Sequence, residues 1–178
     1  MKIDINSKGY IFLYSTVLVV VVAVLLSAAA LWLQPYQQRN IENEKRVMIL
    51  SAAGVNDDGK IDFIDGDLPV YIVNDSITVL PMHGNGLWGP IWGYLAISAD
   101  GQTIIGATFD HKSETPGLGG EITTPKFKNQ FSGKPFINDG QMVPVEVDAI
   151  SGATKTSNGV KDMIDNTMQM YLPYFEKR

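Results

Sequence analysis

Hydrophobic positions form one long uninterrupted run near the start of the chain and only short runs after it. The long run covers residues 11–33, contains no charged residue and is dominated by valine, leucine, alanine and isoleucine. A helix rises about 1.5 Å per residue, so this run spans roughly 34 Å, enough to cross the hydrocarbon core of a bilayer. The pattern therefore predicts a short tail at 1–10 and a transmembrane helix at 11–33.

A cleaved signal peptide is the competing interpretation of this run, because the small residues at 27–30 suit a cleavage site. The apolar pattern continues past that point to Leu33. Aromatic residues, which favour the headgroup layer, lie near the two ends at Tyr10, Tyr14 and Trp32. We therefore favour a retained anchor. Lysine and arginine flank both ends, so flanking charge does not predict its direction.

Helical periodicity continues past the anchor, between residues 34 and 53. The residues near one helical face are Ile41, Lys45, Met48 and Ile49. The stretch from Val55 to Asp67 is polar and rich in aspartate and glycine, which is typical of a loop. We predict a stalk and linker at 34–67.

Short strand-like runs and turn residues alternate in the next part of the chain. Strands are predicted at 70–73, 77–80, 92–98, 103–109 and 143–147. Asn74-Asp75-Ser76 is expected to join the first two as a hairpin. Asp100-Gly101 is expected to join the next two, because Asp-Gly tolerates positive φ.

A final helix is predicted to begin at Ser157, which caps it, and to end at Pro173. Its apolar positions at helical spacing are Val160, Met163, Ile164, Met168, Tyr171 and Leu172. We therefore expect an α+β fold. A single N-terminal transmembrane helix is followed, at 68–178, by one domain of antiparallel strands with packed helices.

Composition excludes several classes of function. The chain has 178 residues, a formal net charge of -5, two histidines and no cysteine. The lack of cysteine excludes disulfides, iron–sulfur clusters and cysteine nucleophiles. The acidic balance argues against nucleic acid as a partner. No catalytic triad, phosphate-binding loop or dinucleotide fingerprint is evident, and we expect neither a catalytic residue nor a metal site.

One segment, 54–65, partly fits a calcium-binding loop. Asn56, Asp58 and Asp65 would occupy ligand positions, but the first position is Gly54, where such loops need a carboxylate. There is also no second copy. We interpret the segment as a solvated loop.

Three glycine-rich segments carry the candidate chemistry. The first, 148–154, leaves a predicted strand and enters the final helix. Backbone N–H groups and the partial positive charge of a helix N-terminus would stabilise a phosphate near Thr154. An ordinary turn with capping hydroxyls explains the same residues, and the residues alone leave both interpretations open.

The second segment, 114–120, places one apolar residue, Leu118, among glycines. An exposed apolar side chain on such a loop suits the face of a flat ring, and a structural turn fits equally well. The third segment, 84–94, places aromatic residues among glycines, where they can form core or wall a pocket. Trp92 and Tyr94 are the expected core members.

Together, in the chain order 84–94, 114–120 and 148–154 and behind a single anchor, the three segments resemble the FMN-binding-domain family. They are most similar to its NqrC members, which belong to sodium-translocating NADH:quinone oxidoreductases. The most specific motifs are GLWGPIWGYLA, ETPGLGG and DAISGATKTSNGV. The resemblance implies an electron-relay protein that carries FMN as a phosphoester on Thr154. Such a protein would do no substrate chemistry of its own. It would work inside a complex that moves electrons from NADH to quinone and pumps Na⁺.

The resemblance also implies which residues serve the cofactor. Asp148 is associated with the attachment, which a separate flavin transferase performs with FAD and Mg²⁺. The attachment motif is completed by Ser151, Gly152 and Ala153. A pocket role is implied for Glu114, Thr115, Leu118, Gly119 and, more weakly, Trp88.

Location and partners follow from the same resemblance. It implies a single-pass protein of the bacterial cytoplasmic membrane with its flavin domain on the outer, periplasmic side. Its partners would be the other subunits of the complex and, during maturation, the flavin transferase. The chain departs from the NqrC pattern in being shorter before Leu80 and before Asp148.

Two alternatives stay open. One is a protein of the RnfG type, which shares the flavinylated domain and works in a ferredoxin–NAD⁺ electron-transfer complex. The other is a non-redox membrane-anchored module whose Ser-Gly-Ala-Thr turn binds a phosphate ligand reversibly. The GLWGPIWGYLA motif favours the NqrC type over the first alternative.

Overall fold

The computed structural model describes residues 8–56, 58–138 and 140–176. They divide into two compact units, the first ending at Glu44 and the second beginning at Lys45. Part of the predicted tail, residues 1–7, lies outside the described residues. The domain bounds expected from the sequence stay predictions.

A single long helix, α1, runs from Lys8 to Ala52. Throughout the predicted membrane segment its apolar side chains are exposed. By length and composition the helix is able to cross a membrane. Near the end of that segment the rings of Trp32 and Tyr36 pack edge to face with centroids 6.5 Å apart.

The second unit is built on a five-stranded antiparallel sheet whose strands lie side by side in chain order. The strands are β1 (Ile61–Ile64), β2 (Val70–Val73), β3 (Ile77–Asn85), β4 (Pro90–Ile97) and β5 (Ile104–His111). Short connections let strands that follow in sequence pair in space. The predicted fold class of antiparallel strands with packed helices is confirmed.

Strand β1 corrects the prediction of a loop from Val55 to Asp67. Phe63 of β1 lies opposite Tyr71 of β2, and their ring centroids are 4.9 Å apart. The ammonium of Lys45 lies 4.9 Å from the centroid of the Tyr71 ring. Cross-strand and cation–π contacts therefore stabilise an edge strand whose sequence is too polar to be recognised as one.

Both predicted hairpins are confirmed. Asn74 and Asp75 have φ of 49° and 57° in the turn between β2 and β3, the conformation that a tight hairpin turn requires. Gly101 has φ of 71° in the turn between β4 and β5. Strand β3 extends beyond the predicted end at Leu80 to Asn85.

Three short helical turns and a small hairpin, none of them predicted, connect β5 to the final helix. The helical turns are Gly119–Thr123, α2 (Pro125–Lys128) and Asn129–Phe131, and the hairpin pairs β6 (Ile137–Asn138) with β7 (Gln141–Met142). Phe127 and Phe131 of these turns are buried, with ring centroids 5.6 Å apart. The turns therefore contribute to the core even though they are too short to show helical periodicity.

The final helix, α3, runs from Thr154 to Glu176 and packs against β3. Five of its six predicted apolar positions are buried: Val160, Met163, Ile164, Met168 and Tyr171. Ser157 is not the cap, because the helix begins three residues earlier. Its hydroxyl instead donates to the carbonyl of Ala153 at 3.1 Å, inside the first turn.

The helix does not end at Pro173, which lies inside it. A proline removes one backbone hydrogen bond but its fixed φ fits a helix. The turn that follows is held by packing, since the rings of Phe175 and Phe136 lie 5.0 Å apart. Tertiary contact therefore overrides the local stop signal.

The prediction of a strand at 143–147 is wrong. Residues 143–150, which we call the arm, have no regular secondary structure. The Val143 N–H donates to the Phe136 carbonyl at 3.0 Å. Three further N–H groups of the arm donate to side chains, not to a neighbouring strand. The pairs are Val145 N to Asp165 Oδ1 (2.9 Å), Asp148 N to Gln130 Oε1 (2.7 Å) and Ile150 N to Ser157 Oγ (3.1 Å). These bonds replace the ladder that its alternating valines suggest.

Apolar side chains cover both faces of the sheet. Leu80 and Val79 are neighbours in β3 and belong to different hydrophobic clusters, as the alternation of a strand requires. The larger cluster lies under α3 and the short helical turns. The smaller one packs Ile49 and Leu50, from the last turn of α1, against the opposite face.

Replacing Phe131 by alanine should lower the free energy of unfolding by about 3–5 kcal/mol, because a fully buried ring leaves a cavity among Phe109 and Phe127. Phe63→Ala is the matched control, since that ring is half exposed, and should cost about 1 kcal/mol or less. Urea unfolding followed by tryptophan fluorescence measures both. Equal losses would contradict the placement of Phe131 in the core.

Candidate functional site

A buried carboxylate joins the three glycine-rich segments. Glu114 is only 4% exposed. Its Oε1 accepts a hydrogen bond from the backbone N–H of Trp88 at 2.8 Å, and its Oε2 accepts one from the hydroxyl of Thr156 at 2.6 Å. We call these three residues the Glu114 junction. The structure thereby brings together segments that lie 26 and 42 residues from Glu114 in sequence.

Two glycines make room for this carboxylate. A Cβ on Gly86 would lie 2.4 Å from Glu114 Oε1, and one on Gly119 would lie 2.4 Å from Oε2 and 2.8 Å from the Thr156 hydroxyl. Neither position accepts a larger residue without displacing the junction. Close packing around Glu114 therefore requires glycine at 86 and 119.

Above the junction, the second segment reaches the first. Gly152 has φ of +78°, and a Cβ there would lie 3.0 Å from Cδ2 of Leu118. Leu118 is 42% exposed, so part of its side chain covers the Ser-Gly-Ala-Thr turn while the rest faces solvent. The backbone N–H groups of Leu118 and Gly120 donate to the Thr115 carbonyl at 3.1 Å and 2.9 Å, which shapes this loop.

Thr154 is the first residue of α3 and is exposed. Ser151 and Gly152 are exposed as well, whereas Ala153 is buried. The first N–H groups of a helix have no partner within the helix, and its N-terminus carries partial positive charge. The Thr154 hydroxyl therefore lies where a phosphate attached to it would be stabilised.

A cleft lies beside this turn, between the arm and the short helical turns. It has a volume of about 510 Å³. Its lining residues are Glu121, Thr124, Lys126, Phe127, Gln130, Asp148, Ala149, Ile150 and Ser151. Asp148, the first residue of the DAISGATKTSNGV motif, is exposed and lines this cleft. The arm is braced on its other side by Asp165, whose hydrogen bond with Lys161 raises the pKa of that lysine.

The predicted pocket residues divide into two groups. Leu118, Thr115 and Trp88, which is 66% exposed, lie at the surface. Glu114 and Gly119 are buried beneath them and hold the loops together. Trp92 and Tyr94, expected in the core, are half-buried.

Two residues of the site were missed by sequence reasoning. Thr156 carries a detectable signal, because it lies four residues before Val160 and therefore on the buried face of α3. Gln130 carries none, since an isolated glutamine in a short helical turn shows no periodicity. Its role is visible only in its hydrogen bond to the arm.

The arrangement fits a phosphate-linked ring system. An exposed hydroxyl stands at a helix N-terminus, glycine keeps the adjoining backbone open, and a half-exposed leucine adjoins it. A flat cofactor needs this combination of an anion site and an apolar contact. The residues present therefore fit FMN.

Comparisons with known proteins agree. The FMN-binding domain family matches residues 86–169, which contain all three motifs. NqrC of the Na(+)-translocating NADH-quinone reductase from Vibrio anguillarum is 28% identical over 214 residues, covering 82% of this chain and 84% of that protein. That alignment is longer than the 178 residues of this chain, so the relative contains segments that this chain lacks.

Two crystal structures are also similar. NqrC of the Na(+)-translocating NADH-quinone reductase from Parabacteroides distasonis is 32% identical, with a TM-score of 0.69 over 80% of this chain and 96% of that one. NqrC from Shewanella oneidensis is 24% identical, with a TM-score of 0.64 over 76% of this chain and 98% of that one, and shows the fold alone.

The fold and the site define an FMN-binding-domain protein with an N-terminal helix able to cross a membrane. The Parabacteroides protein is 32% identical and almost wholly covered. The chain therefore belongs to the NqrC family of the Na⁺-translocating NADH-quinone reductase.

Replacing Thr156 by valine should lower the free energy of unfolding by about 1.5–3 kcal/mol, because it leaves one oxygen of a buried carboxylate without its donor. Thr167→Val is the matched control in the same helix. The Thr167 hydroxyl is buried too, but donates locally to the Met163 carbonyl at 2.8 Å, and its loss should cost about 0.5–1.5 kcal/mol. A Thr156 variant as stable as the wild type in denaturant titration would contradict the junction.

Proposed function

We propose that this chain is the electron-relay NqrC component of a Na⁺-translocating NADH:quinone reductase, and that it carries FMN bonded through its phosphate to Thr154. Family membership and the match to the FMN-binding domain support the assignment and its cofactor. The observation that carries the attachment is the exposed Thr154 hydroxyl at the start of α3, next to a turn that Leu118 covers. The neighbouring hydroxyl of Thr156 is committed to Glu114.

Attachment of FMN from FAD would be a phosphoryl transfer to the Thr154 hydroxyl. The Thr154 oxygen forms a bond to the phosphorus of the FMN half, the pyrophosphate bond of FAD breaks and AMP leaves. The hydroxyl proton passes to a base of the flavin transferase or to water. Because the accepting oxygen is exposed, a separate enzyme can reach it.

The covalent bond serves retention and placement. The flavin ring supplies the redox chemistry, while the protein orients it and sets its electrostatic surroundings. Leu118 and Trp88 are exposed apolar side chains on loops that the Glu114 junction joins to the attachment helix. We assign them to contact with the ring, and Glu114 and Gly119 to support of the loops beneath it.

Membrane attachment completes the proposal. Residues 11–33 would cross the bacterial cytoplasmic membrane, 34–67 would form the stalk and linker, and 68–178 the FMN-binding domain. The domain would lie on the outer side and exchange electrons with other subunits of the complex. The support for this arrangement is the long apolar helix and the family to which the chain belongs.

Thr154→Ala should abolish covalent flavin, because it removes the accepting oxygen and leaves the fold intact. In-gel flavin fluorescence of protein from cells that contain the transferase measures the attachment. Thr103→Ala, at the turn between β4 and β5, is the control and should keep full fluorescence. Fluorescence that survives in the Thr154 variant would exclude this residue as the attachment site.

Leu118→Ala should keep covalent FMN and shift its redox behaviour, because the ring loses an apolar contact and gains water. A spectroscopic redox titration of the purified protein measures the midpoint, and in-gel fluorescence confirms loading. Met170→Ala is the control, since Met170 is exposed further along α3. If both variants titrate like the wild type, Leu118 does not touch the ring.

A further inference from the structure

The arm and the short helical turns form opposite walls of the cleft, and one side chain joins them. Gln130 accepts a hydrogen bond from the Asp148 N–H through Oε1 at 2.7 Å. Its Nε2 donates to the Phe127 carbonyl at 2.9 Å and, more weakly, to the Asp148 carbonyl at 3.5 Å. These partners fix the orientation of the amide, since an N–H needs the oxygen and a carbonyl needs the nitrogen.

The short helical turns that carry Gln130 pack into the core. Phe127 and Phe131, on either side of it in the helical turns, are buried in the main core. Lys134, which follows these turns, donates through Nζ to the Glu146 carbonyl of the arm, and α3 accepts from the arm through Asp165 and Ser157. Gln130 therefore fixes the arm at Asp148 to a second, independent part of the fold.

The position of this bond matters for Thr154. The arm has no regular secondary structure, so its conformation depends on side-chain bonds to its backbone. Asp148 lies six residues before Thr154 and its side chain is exposed, at the edge of the cleft. Without Gln130, the arm would keep its bonds at Val143, Val145, Glu146 and Ile150 but lose those at Asp148, and the segment leading to Thr154 would be less ordered there.

We propose that Gln130 is a positioning residue for flavin attachment, which holds Asp148 and the arm in the one conformation that presents Thr154 to the flavin transferase. The inference rests on the proposed covalent attachment at Thr154. A reaction between a protein substrate and an enzyme is faster when the reacting segment is already ordered, because the ordering entropy is not lost during the reaction. Gln130 touches neither the reacting oxygen nor the cofactor.

The test uses Gln130→Met in the full-length protein, which keeps the side-chain volume and removes all three hydrogen bonds of the Gln130 amide. Purified protein in detergent, lacking flavin, is incubated with flavin transferase, FAD and Mg²⁺, and in-gel fluorescence follows attachment. We expect attachment about tenfold slower at saturating protein, as befits the loss of one to two hydrogen bonds. The KM for FAD should not change. Asn129→Leu, at the exposed neighbour of Gln130, is the matched control and should react like the wild type.

A second readout separates positioning from general destabilisation. Hydrogen exchange at the Asp148 amide should become faster in Gln130→Met, while amides of β3 and β4 stay protected as in the wild type. Gln130→Glu keeps an oxygen that accepts from the Asp148 N–H but loses the donor to the Phe127 carbonyl, so it should recover part of the rate. A methionine variant that reacts at the wild-type rate would overturn the inference, as would slow attachment with unchanged Asp148 exchange.

The wild-type protein and the Thr154→Ala variant are included in the same experiment. If the wild type acquires no flavin on Thr154, the proposed function itself fails. If the wild type is modified and Gln130→Met is modified equally fast, the proposed function stands and only the role of Gln130 is lost.

Discussion

Burial of the Glu114 carboxylate is the constraint on which the site depends. A carboxylate removed from water is strongly destabilising unless hydrogen bonds replace its solvation. Here the two oxygens accept from Trp88 and Thr156, on two other segments of the chain. Gly86 and Gly119 must stay without side chains to allow it. The three motifs therefore cannot move independently, and the loops have one arrangement.

In that arrangement, the residues that support the loops differ from those proposed to contact the cofactor. Glu114 and Thr156 of the junction are buried, whereas Thr154 and Leu118 are exposed. A carrier that exchanges electrons with fixed neighbours benefits from a cofactor that cannot diffuse away and cannot change its position. The proposed phosphoester on Thr154, at the first residue of α3 and beside the loop that the junction holds, would provide both.

Much of this organisation was predictable from the sequence, because its signals are local and periodic. The apolar run at 11–33, the Asn-Asp and Asp-Gly hairpins and the buried face of α3 each repeat a pattern of one secondary-structure element. The failures occurred where long-range contacts decide. Strand β1 is held by Phe63 against Tyr71, and the arm is held by side chains of Asp165, Gln130 and Ser157. No pattern within those segments records these partners.

The same contrast between local patterns and long-range contacts holds for the site. The motifs predict roles for Thr154 and for the loop of Leu118, since each motif is contiguous in sequence. The contact of Leu118 with Gly152, and the donation from Thr156 to Glu114, join residues far apart in the chain. Only the folded structure shows that Glu114 supports the loops from below, in contrast to the surface position of Leu118.

Intact-mass spectrometry of the denatured protein, isolated from its native host, is the most direct test for covalent FMN on Thr154. Peptide mapping across Asp148 to Lys161 then locates any modification. Covalent attachment predicts a mass increase equal to FMN less water, carried by Thr154. An unmodified Thr154 in protein from the native host would contradict it, and would favour a module that binds its phosphate ligand reversibly.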